Sequence, residues 1–382
     1  MIGWREVGFQ PHRKAYYPDT AFPLSMPETN QFECEGCGAH LEFDPKIQAM
    51  KCQFCQSEKI VPIEHKAIVE HDFYSAPKAT GWDRQAASFQ CDSCGATISA
   101  DIRVAGKCTY CNSPYVKEKP PRPDLIRPET LIPFRVDKNN VNNLFKTWLG
   151  KGWFTPSNLV QLSRLDLIKG VYTPFWTYDT QAYSAWTAES GYYYYVTETY
   201  TAMVNGKSQI RTRQVRKIRW VPSHGQRQGF YNDVLVPASR GMNQELIYKI
   251  YPFDLRALVP YKPEFLSGFL AEEYAVDLQQ GWGVAQSNVL ASERDKCAKD
   301  VPGDTHRFLR VQTNFSGITY KHTLLPVWIA AYEYKAKTYH FLVNGQTGEV
   351  QGFKPISWAK VALFVGAVAA AVAGLAAFIY FS

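Results

Sequence analysis

The chain has 382 residues, of which 46% are hydrophobic and 20% charged, a composition that excludes a largely disordered protein. Its length is typical of two or three domains, and its 14% of aromatic residues favours strand-rich structure. The formal net charge is +7, but residues 1–122 carry 14 basic against 15 acidic side chains, and the remainder carries 28 against 20. An anionic partner is therefore expected to contact the C-terminal two thirds of the chain.

The first 30 residues contain four prolines and indicate an extended arm over residues 1–30. The opening residues, Met1 to Glu6, lack the basic start and apolar run of a secretory signal. We therefore expect a protein that is not exported and whose thiols stay reduced, which favours metal binding over disulfides.

Eight of the nine cysteines form four Cys-x-x-Cys pairs, grouped in two modules. The two pairs of a module are separated by 14 residues in the first and 13 in the second, the spacing of two knuckles that complete one tetrahedral four-cysteine site. Gly38 and Gly95 follow the first pair of each module, where a knuckle needs an unusual backbone angle. The expected metal ligands are Cys34, Cys37, Cys52, Cys55, Cys91, Cys94, Cys108 and Cys111.

The repeated spacing predicts two tandem zinc ribbons over residues 31–60 and 88–115, joined by a connector over 61–87. Redox-active cysteine pairs or an iron–sulfur cluster are the alternatives. Four thiolates leave no open coordination position, so each of the two Zn2+ ions would be structural and not catalytic. Because this region is slightly acidic, we expect it to bind protein in preference to phosphates. Cys297 has no second thiol nearby in the sequence and is expected to be a bystander.

Five prolines between positions 114 and 128 mark a linker over residues 116–130, ahead of a domain expected over 131–355. Near the start of that domain, helical spacing of apolar residues predicts a helix with Asp137 as its N-cap and Gly150 at its end. The residues that set this spacing are Val141, Leu144, Phe145, Trp148 and Leu149.

A faint internal repeat suggests that the domain is a duplication, with halves 131–257 and 258–353. Each half would run from a short strand through a helix to a Pro-x-Trp strand. Matches as short as these also arise by chance, so both interpretations stay open. The matching segments are Leu131–Arg135 with Leu258–Lys262, and Pro174–Trp176 with Pro326–Trp328.

Long strand-like stretches fill the remainder of the domain. Tyr192 to Trp220 is typical of a hairpin that turns at Asn205-Gly206, and His306 to Gly352 of a meander with a turn at Asn344-Gly345.

A basic stretch from Lys207 to Arg227 contains seven basic side chains and no acidic one. In a membrane-bound protein it could contact anionic headgroups, and the tyrosines at 192–195 opposite it could stack on bases. The alternative is an ordinary solvated strand face with cross-strand tyrosine packing. The candidates for contact with an anionic surface are Lys207, Arg211, Arg213, Arg216, Lys217 and Arg219.

Val361 to Phe381 is an uncharged run of 21 residues, which at 1.5 Å per residue matches the hydrocarbon core of about 30 Å. We therefore expect a transmembrane helix over residues 358–381. Lys354 and Lys360 flank its upstream end and only Ser382 follows, so the positive-inside rule predicts a tail-anchored protein whose bulk faces the cytoplasm.

Small residues recur at every fourth position of this span, which lets two helix backbones approach closely and would support a homo-oligomer. The span is Ala-rich throughout, so chance spacing is the alternative. The candidates for self-association are Ala362, Gly366, Ala370 and Gly374. The fold class expected for the whole chain is two small β zinc ribbons in tandem, an α+β, strand-dominated domain and one C-terminal transmembrane helix.

Catalytic motifs are missing from the sequence. It lacks His-Glu-x-x-His, Gly-x-Ser-x-Gly and Gly-x-Gly-x-x-Gly, and its eight histidines are scattered without metal-ligand spacing. Gly206-Lys207-Ser208 resembles the end of a phosphate-binding loop, but Thr201 stands where the first glycine of that motif is required. We therefore expect a non-enzymatic protein.

Taken together, these motifs resemble a family of bacterial double-zinc-ribbon proteins with a C-terminal membrane anchor. The resemblance covers about residues 30–380 and rests on the tandem Cys-x-x-Cys-Gly motifs, the C-terminal span and three further segments: Gly170–Trp176, Leu324–Trp328 and Val343–Gly348. Members are often labelled primosomal helicase N′-like or TFIIB-type zinc-finger proteins. Some look like membrane anchors for cytosolic SPFH (stomatin-like) or phage-shock-type proteins, which implies a place in the bacterial inner membrane.

Two functional hypotheses follow. The first is a non-enzymatic adaptor in the inner membrane whose zinc ribbons and α+β domain recruit cytosolic proteins, with SPFH-type proteins as the partners that the resemblance implies. The second is a zinc-ribbon protein that binds nucleic acid at the membrane, in replication or transcription.

Overall fold

The structure is a computed structural model that describes residues 32–63, 68–76, 87–100, 108–113, 116–119, 125–159, 168–204, 207–335 and 337–381. Several features expected from the sequence lie outside these residues. They are the N-terminal arm (1–30), the Asn205-Gly206 turn and the linker prolines Pro114, Pro120, Pro121 and Pro123.

Strands dominate the described part of the chain, as the composition predicts. The strands are β1 (Leu41–Asp44), β2 (Ala49–Cys52), β3 (Glu58–Ile60), β4 (His71–Asp72), β5 (Ala87–Cys91), β6 (Thr97–Ala100), β7 (Val116–Lys119), β8 (Thr130–Leu131), β9 (Lys169–Val204), β10 (Lys207–Pro237), β11 (Val259–Pro260), β12 (Leu270–Glu273), β13 (Thr305–Tyr334), β14 (Lys337–Asn344) and β15 (Val350–Gly352). The helices are α1 (Lys138–Gly150), α2 (Gln244–Lys249), α3 (Leu278–Asp300) and α4 (Trp358–Phe381), with 3₁₀ turns at Leu255–Ala257 and Pro263–Leu266.

Three very long antiparallel strands form the centre of the main sheet. β9 has 36 residues and pairs with β10 on one side and with β13 on the other. β-Branched and aromatic residues fill these strands, and such side chains pack well on a pleated surface. β13, β14 and β15 follow one another as an antiparallel meander, which confirms the prediction for residues 306–352.

The middle of the sheet is buried on both faces. Leu324 packs in a core with α1 and the first cysteine module, whereas its neighbour Leu325 packs in a core with α2 and the second module. Successive residues of a strand point to opposite faces, so this alternation places one module against each face. α1 begins at the N-cap Asp137 and buries Val141 and Phe145, as its spacing predicts.

The second cysteine module is continuous with the main sheet. Its strand β6 pairs with β12, and β12 pairs in parallel with β9. Strand β7 pairs with β5, so residues 116–119, expected in the linker, extend the second module. In the connector, β4 pairs with β13. The module and the domain are therefore joined by backbone hydrogen bonds.

Two sets of equivalent contacts relate the halves of the main domain. β8 precedes α1 and pairs in parallel with β13, and β12 precedes α3 and pairs in parallel with β9. The strand that corresponds to β8 is therefore β12, and not the segment at 258–262 that resembles it in sequence. That segment contains β11, which pairs with β8 directly.

Candidate metal centres and the hairpin arm

The four cysteines of the first module converge to one cluster, in which all sulfur atoms lie within 4.8 Å of one another. The Sγ atoms of Cys34 and Cys55 are 3.4 Å apart, and those of Cys37 and Cys52 are 3.5 Å apart. A tetrahedral zinc ion with bonds of about 2.3 Å places its sulfurs roughly 3.8 Å apart. The cluster therefore has the size that a single metal ion requires.

The second module repeats this geometry. The Sγ atoms of Cys91 and Cys111 are 3.6 Å apart, and those of Cys94 and Cys108 are 3.7 Å apart. All four again lie within 4.8 Å of one another. All eight predicted ligands are thus brought together in the two expected groups, and each group could hold a metal ion. Cys297 lies apart from them, buried on α3.

Each knuckle ends in a residue with left-handed backbone conformation. The φ angles are 70° at Gly38 and 76° at Gly95, as predicted, and 64° at Gln56 and 60° at Asn112. In the first knuckle the amide of Gly38 donates to the carbonyl of Cys34 at 2.8 Å. In each of the other three knuckles, the amide of the left-handed residue likewise donates to the carbonyl of the first cysteine. Sequence reasoning missed Gln56 and Asn112, because only glycine signals this conformation clearly.

Ser57 contributes to the first cluster, although no motif in the sequence distinguishes it from other serines. Its hydroxyl lies 3.0 Å from the Sγ of Cys34 and 2.7 Å from that of Cys55. The hydrogen bond from Ser57 lowers the pKa of Cys34 to about 6. In the second cluster, a hydrogen bond from Cys94 lowers the pKa of Cys108 to about 5. Neighbouring thiols and burial raise the pKa of Cys37, Cys94 and Cys111, so each cluster contains at least one thiol, but not four, that is favoured as the metal-binding thiolate before a metal is present.

The first module docks on the segment just before β12. The Phe43 ring meets that of Phe265 edge to face, with centroids 5.1 Å apart. The amide of Phe43 donates to the carbonyl of Ser267 at 3.1 Å, and the Ser267 hydroxyl donates to the carbonyl of Leu41 at 2.7 Å. Aromatic packing and hydrogen bonds therefore join the first module to the main domain.

The second module docks through a buried carboxyl group. Glu272 on β12 accepts hydrogen bonds from Tyr110, between two of the cysteines, at 2.7 Å and from Ser239 at 2.6 Å. Burial raises the pKa of Glu272 to about 8. A polar group without access to water is retained only when it is hydrogen-bonded, so Glu272 fixes the knuckle to the sheet.

The basic stretch lies on a two-stranded arm. β13 begins opposite Gly191, and beyond that point β9 and β10 pair only with each other up to Val204 and Lys207. Thirteen residues of β9 at about 3.3 Å each give this hairpin arm (residues 192–204 and 207–219) a length of roughly 40 Å. Most of its side chains are exposed, so the arm presents two solvated faces.

The register of the arm separates its side chains into two faces. Arg211 lies opposite Tyr200, Lys217 opposite Tyr194 and Arg219 opposite Tyr192. Because side chains alternate along a strand, one face carries most of the basic residues and Arg216 points to the other. The residues of this basic face are Tyr192, Tyr194, Glu198, Tyr200, Lys207, Arg211, Arg213, Lys217 and Arg219.

Cation–π contacts hold several of these side chains in place. The guanidinium of Arg213 lies 5.6 Å from the ring centroid of Tyr200, and that of Arg219 lies 5.7 Å from that of Tyr192. On the opposite face, Arg216 lies 4.3 Å from the Tyr193 ring. Among the described residues, a single acid, Glu198, pairs with the basic face, through Arg213 and Lys217. The basic face therefore keeps an excess of positive charge.

α4 is the one described helix that is long and apolar enough to cross a membrane. Its candidate span, Trp358–Tyr380, has a mean hydropathy of 2.4 and is not buried against the protein. The small residues at 362, 366, 370 and 374 lie on this exposed helix, and no described atom packs within 4 Å of a Cβ placed at Gly366 or Gly374. Self-association through them stays a prediction.

α4 and the hairpin arm lie at opposite ends of the main sheet. α4 starts beside the turn between β13 and β14, where Lys337 and Trp358 line the same hollow. From that end, β9 runs from Lys169, opposite Ile329, to Gly191, opposite Thr305. This is roughly 70 Å of strand at about 3.3 Å per residue, before the arm begins.

Comparison with known proteins gives little functional information. No family model matches the chain, and no solved structure matches it. The chain is similar to an uncharacterized protein of Bacillus subtilis (strain 168), YdjG, with 26% identity over 245 residues. The similar region covers 64% of this chain and 68% of that protein.

Proposed function

We propose that this protein is a non-enzymatic adaptor anchored in the bacterial inner membrane, which recruits cytosolic proteins through its hairpin arm. α4 would supply the anchor, and the two four-cysteine modules would be zinc ribbons with a structural role. The observation that carries the proposal is the arm itself. It is an exposed, basic and aromatic surface at the end of the sheet remote from α4.

The metal centres support a structural role for zinc. Four thiolates per ion satisfy a tetrahedral zinc and leave no position for a substrate. Both modules also pack against the main domain through Phe43 and Tyr110. Zinc would therefore hold the two docking contacts in place, because such modules depend on the metal for their folding.

The position of the arm favours a protein partner over the membrane surface. For Arg211 and Lys217 to contact lipid, the whole main sheet would have to lie flat along the bilayer, because α4 would enter the membrane from the opposite end of that sheet. Electrostatic attraction to headgroups falls off within a Debye length, about 10 Å at 0.1 M salt. An arm that extends away from α4 instead reaches the cytosol, where acidic surfaces of SPFH-type or phage-shock-type proteins are the partners that the family resemblance implies.

The buried titratable groups support a role without catalysis. His322 is fully buried, lies 4.8 Å from the Trp176 ring, and has its pKa lowered to about 4 by that burial. Glu272 is likewise enclosed and hydrogen-bonded. The contacts of both side chains are thus explained by packing and hydrogen bonding in the protein interior.

The test compares two charge variants of the full chain, each recovered from gently solubilised membranes. In the arm variant, Arg211, Arg213, Lys217 and Arg219 are changed to Gln. In the matched control, the exposed residues Lys59, Lys117, Lys249 and Lys299 are changed to Gln, which removes the same charge elsewhere. We expect proteins captured by the wild type to be retained by the control and lost from the arm variant. Equal capture by both variants would disprove recruitment through the arm.

A second candidate function is binding of single-stranded nucleic acid at the membrane. The observation that favours it is the presence of Tyr192, Tyr194 and Tyr200 on the same face as the arginines, since bases stack on aromatic rings beside basic side chains. Nuclease treatment of the captured material distinguishes the adaptor function from nucleic-acid binding. Partners that survive nuclease support the adaptor, and partners released by it, with a steep salt dependence of binding, support the alternative.

The anchoring step has its own test. The full chain is expected to stay with the membrane fraction after alkaline washing, and protease added outside intact spheroplasts should leave the main domain uncut. This orientation follows from Lys354 and Lys360 at the start of α4. Release by the wash would disprove the membrane span.

A further inference from the structure

The loop after α1 is attached to the first turn of α4. The amide of Ser357 donates to the carbonyl of Phe154 at 2.7 Å, and the Nζ of Lys360 donates to the carbonyl of Thr155 at 2.7 Å. The Nζ of Lys354 donates to the carbonyls of Trp148 and Lys151. These contacts fix the loop at the point where α4 leaves the domain.

Two aromatic side chains of this loop lie beside the apolar part of α4. The Phe154 ring meets that of Phe364 edge to face, with centroids 5.6 Å apart. Trp153 and Phe154 line an apolar groove of about 390 Å3 together with Leu363, Phe364 and Ala367. Phe364 is three residues beyond Val361, where the uncharged segment begins, which is about 4.5 Å along the helix axis. A bilayer crossed by α4 would therefore reach the level of this loop.

Exposure supports the same placement. Trp153 is 82% exposed and Trp358 is 75% exposed, although both are large apolar side chains. Tryptophan is enriched at the boundary between hydrocarbon and headgroups, where its ring is buried and its N–H stays hydrated. In water the same groove would leave a substantial apolar surface uncovered.

Lysines surround these aromatic residues. Lys335 and Lys337, at the turn between β13 and β14, line a hollow of about 310 Å3 with Pro156, Ile356 and Trp358. Both lysines are exposed, and so is Lys151 on the loop. Aromatic side chains beside lysines at the start of a membrane span match an interface that contains anionic headgroups.

We propose that the loop Lys151–Asn158 and the turn at Lys335 and Lys337 form a second membrane contact, in which Trp153 and Phe154 insert between anionic phospholipids and the lysines bind their headgroups. This rests on the proposal that α4 spans the bilayer. It moves the lipid contact from the basic arm to the opposite end of the sheet. It also holds the sheet away from the membrane, so that the arm extends into the cytosol.

The experiment uses the full chain in nanodiscs of phosphatidylcholine and phosphatidylglycerol. A photo-crosslinking residue is placed in the loop as Trp153→p-benzoylphenylalanine, and in the arm as Tyr195→p-benzoylphenylalanine, at a side chain that is 65% exposed. We expect lipid adducts from position 153 and none from position 195. The adducts at 153 should be enriched in phosphatidylglycerol over the input mixture by about fivefold, the effect of one lysine near a charged surface.

A charge variant tests the role of the lysines. Lys151→Gln, Lys335→Gln and Lys337→Gln together should return the adduct composition to that of the input, whereas Lys59→Gln, Lys117→Gln and Lys249→Gln together should leave the enrichment unchanged. No adduct at position 153 in a chain that resides in the nanodisc would overturn the proposal while leaving the anchor intact. Adducts in the input ratio would overturn the headgroup contact. A chain that fails to enter nanodiscs would overturn the anchor, and this proposal with it.

Discussion

The indole Nε1 of Trp328 on β13 donates a hydrogen bond of 2.9 Å to the carbonyl of Val136, just before α1. The other half of the domain repeats this contact, because Nε1 of Trp176 donates to the carbonyl of Val276, just before α3, also at 2.9 Å. Each bond joins one half to the other. The Pro-x-Trp segments are therefore equivalent parts of the fold.

Further backbone contacts follow the same pattern. The amides of residues 135 and 136 donate to the carbonyl of Gly345, and those of 275 and 276 donate to the carbonyl of Ala238. Gly345 and Ala238 in turn donate to the carbonyls of Pro326 and Pro174. These matching polar contacts in the two halves indicate a common local structure with an approximate twofold relation.

The first prediction concerns the two tryptophans. Trp328→Phe and Trp176→Phe should each lower the free energy of unfolding by about 2–3 kcal/mol, since each leaves a partly buried carbonyl without its donor and opens a small cavity where the buried indole ring was. Chemical denaturation of the solubilised protein measures this loss. Tyr194→Phe, on the exposed arm, should change it by less than about 0.5 kcal/mol. Wild-type stability in either tryptophan variant would contradict the equivalence of the two contacts.

The second prediction is the metal content. Freshly purified, reduced protein should hold about two zinc ions per chain, because each cluster supplies four thiolates at tetrahedral spacing. Cys52→Ser and Cys91→Ser should each reduce the content to about one. Cys297→Ala is the matched control and should leave two, since Cys297 lies outside both clusters. Elemental analysis that finds one ion or none in the wild type would refute the paired sites.

The third prediction is a pH dependence that originates at Glu272. Its pKa is about 8 in the folded protein and near 4.5 when unfolded, so the folded state binds more protons between these values. Stability should therefore fall as pH rises through this window, by about 1 kcal/mol per pH unit between about pH 6 and 7.5. Thermal unfolding across this range measures the slope.

Two variants assign that slope to Glu272. Glu272→Gln cannot ionise; its amide oxygen can accept from one of the two hydroxyl groups of Tyr110 and Ser239, and its NH2 group can donate to the other. The slope should therefore decrease by about 1 kcal/mol per pH unit. Glu245→Gln, at an exposed site on α2, should leave it unchanged. A slope that persists in Glu272→Gln would show that another group controls it.

The fourth prediction concerns Lys321 on β13. Its Nζ lies 3.0 Å from a carboxylate oxygen of Glu70 and 2.8 Å from one of Asp233, and Lys321 is only 6% exposed. Lys321→Met should lower the free energy of unfolding by about 2–3 kcal/mol, because it removes the buried ammonium group that compensates the partly buried carboxylate of Asp233 and the more exposed one of Glu70. Lys217→Met, which breaks a pair with Glu198 on the exposed arm, should cost about 1 kcal/mol or less. Equal losses in the two variants would contradict this difference in burial.

Features with short sequence separation were predictable from the sequence. The knuckles place two cysteines three residues apart on a tight turn, so their spacing and the glycines at 38 and 95 already specify a metal-sized cluster. α1 and α4 likewise follow from local periodicity and from an uncharged run of 21 residues. In each case the physical signal is contained within a short stretch of chain.

The features that the sequence did not predict depend on contacts between segments that are far apart in the chain. The match between Leu131–Arg135 and Leu258–Lys262 suggested the wrong equivalence, because β11 pairs with β8 and β12 takes the corresponding position. The position of the hairpin arm depends on where β13 begins along β9, since Thr305 lies opposite Gly191, more than 100 residues away in sequence. The membrane contact proposed for the loop at Trp153 depends on the packing of Phe154 against Phe364, two residues more than 200 positions apart in sequence.

Local patterns in the sequence are thus enough to predict the cysteine clusters, the abundance of strands, α1 and the apolar C-terminal helix. The pairing of the second module with the main sheet, and the placement of the basic arm and α4 at opposite ends of that sheet, become visible only in the folded chain. The physical reason is that strand register is set by packing between distant segments, and a single sequence carries no local signal for which segments meet.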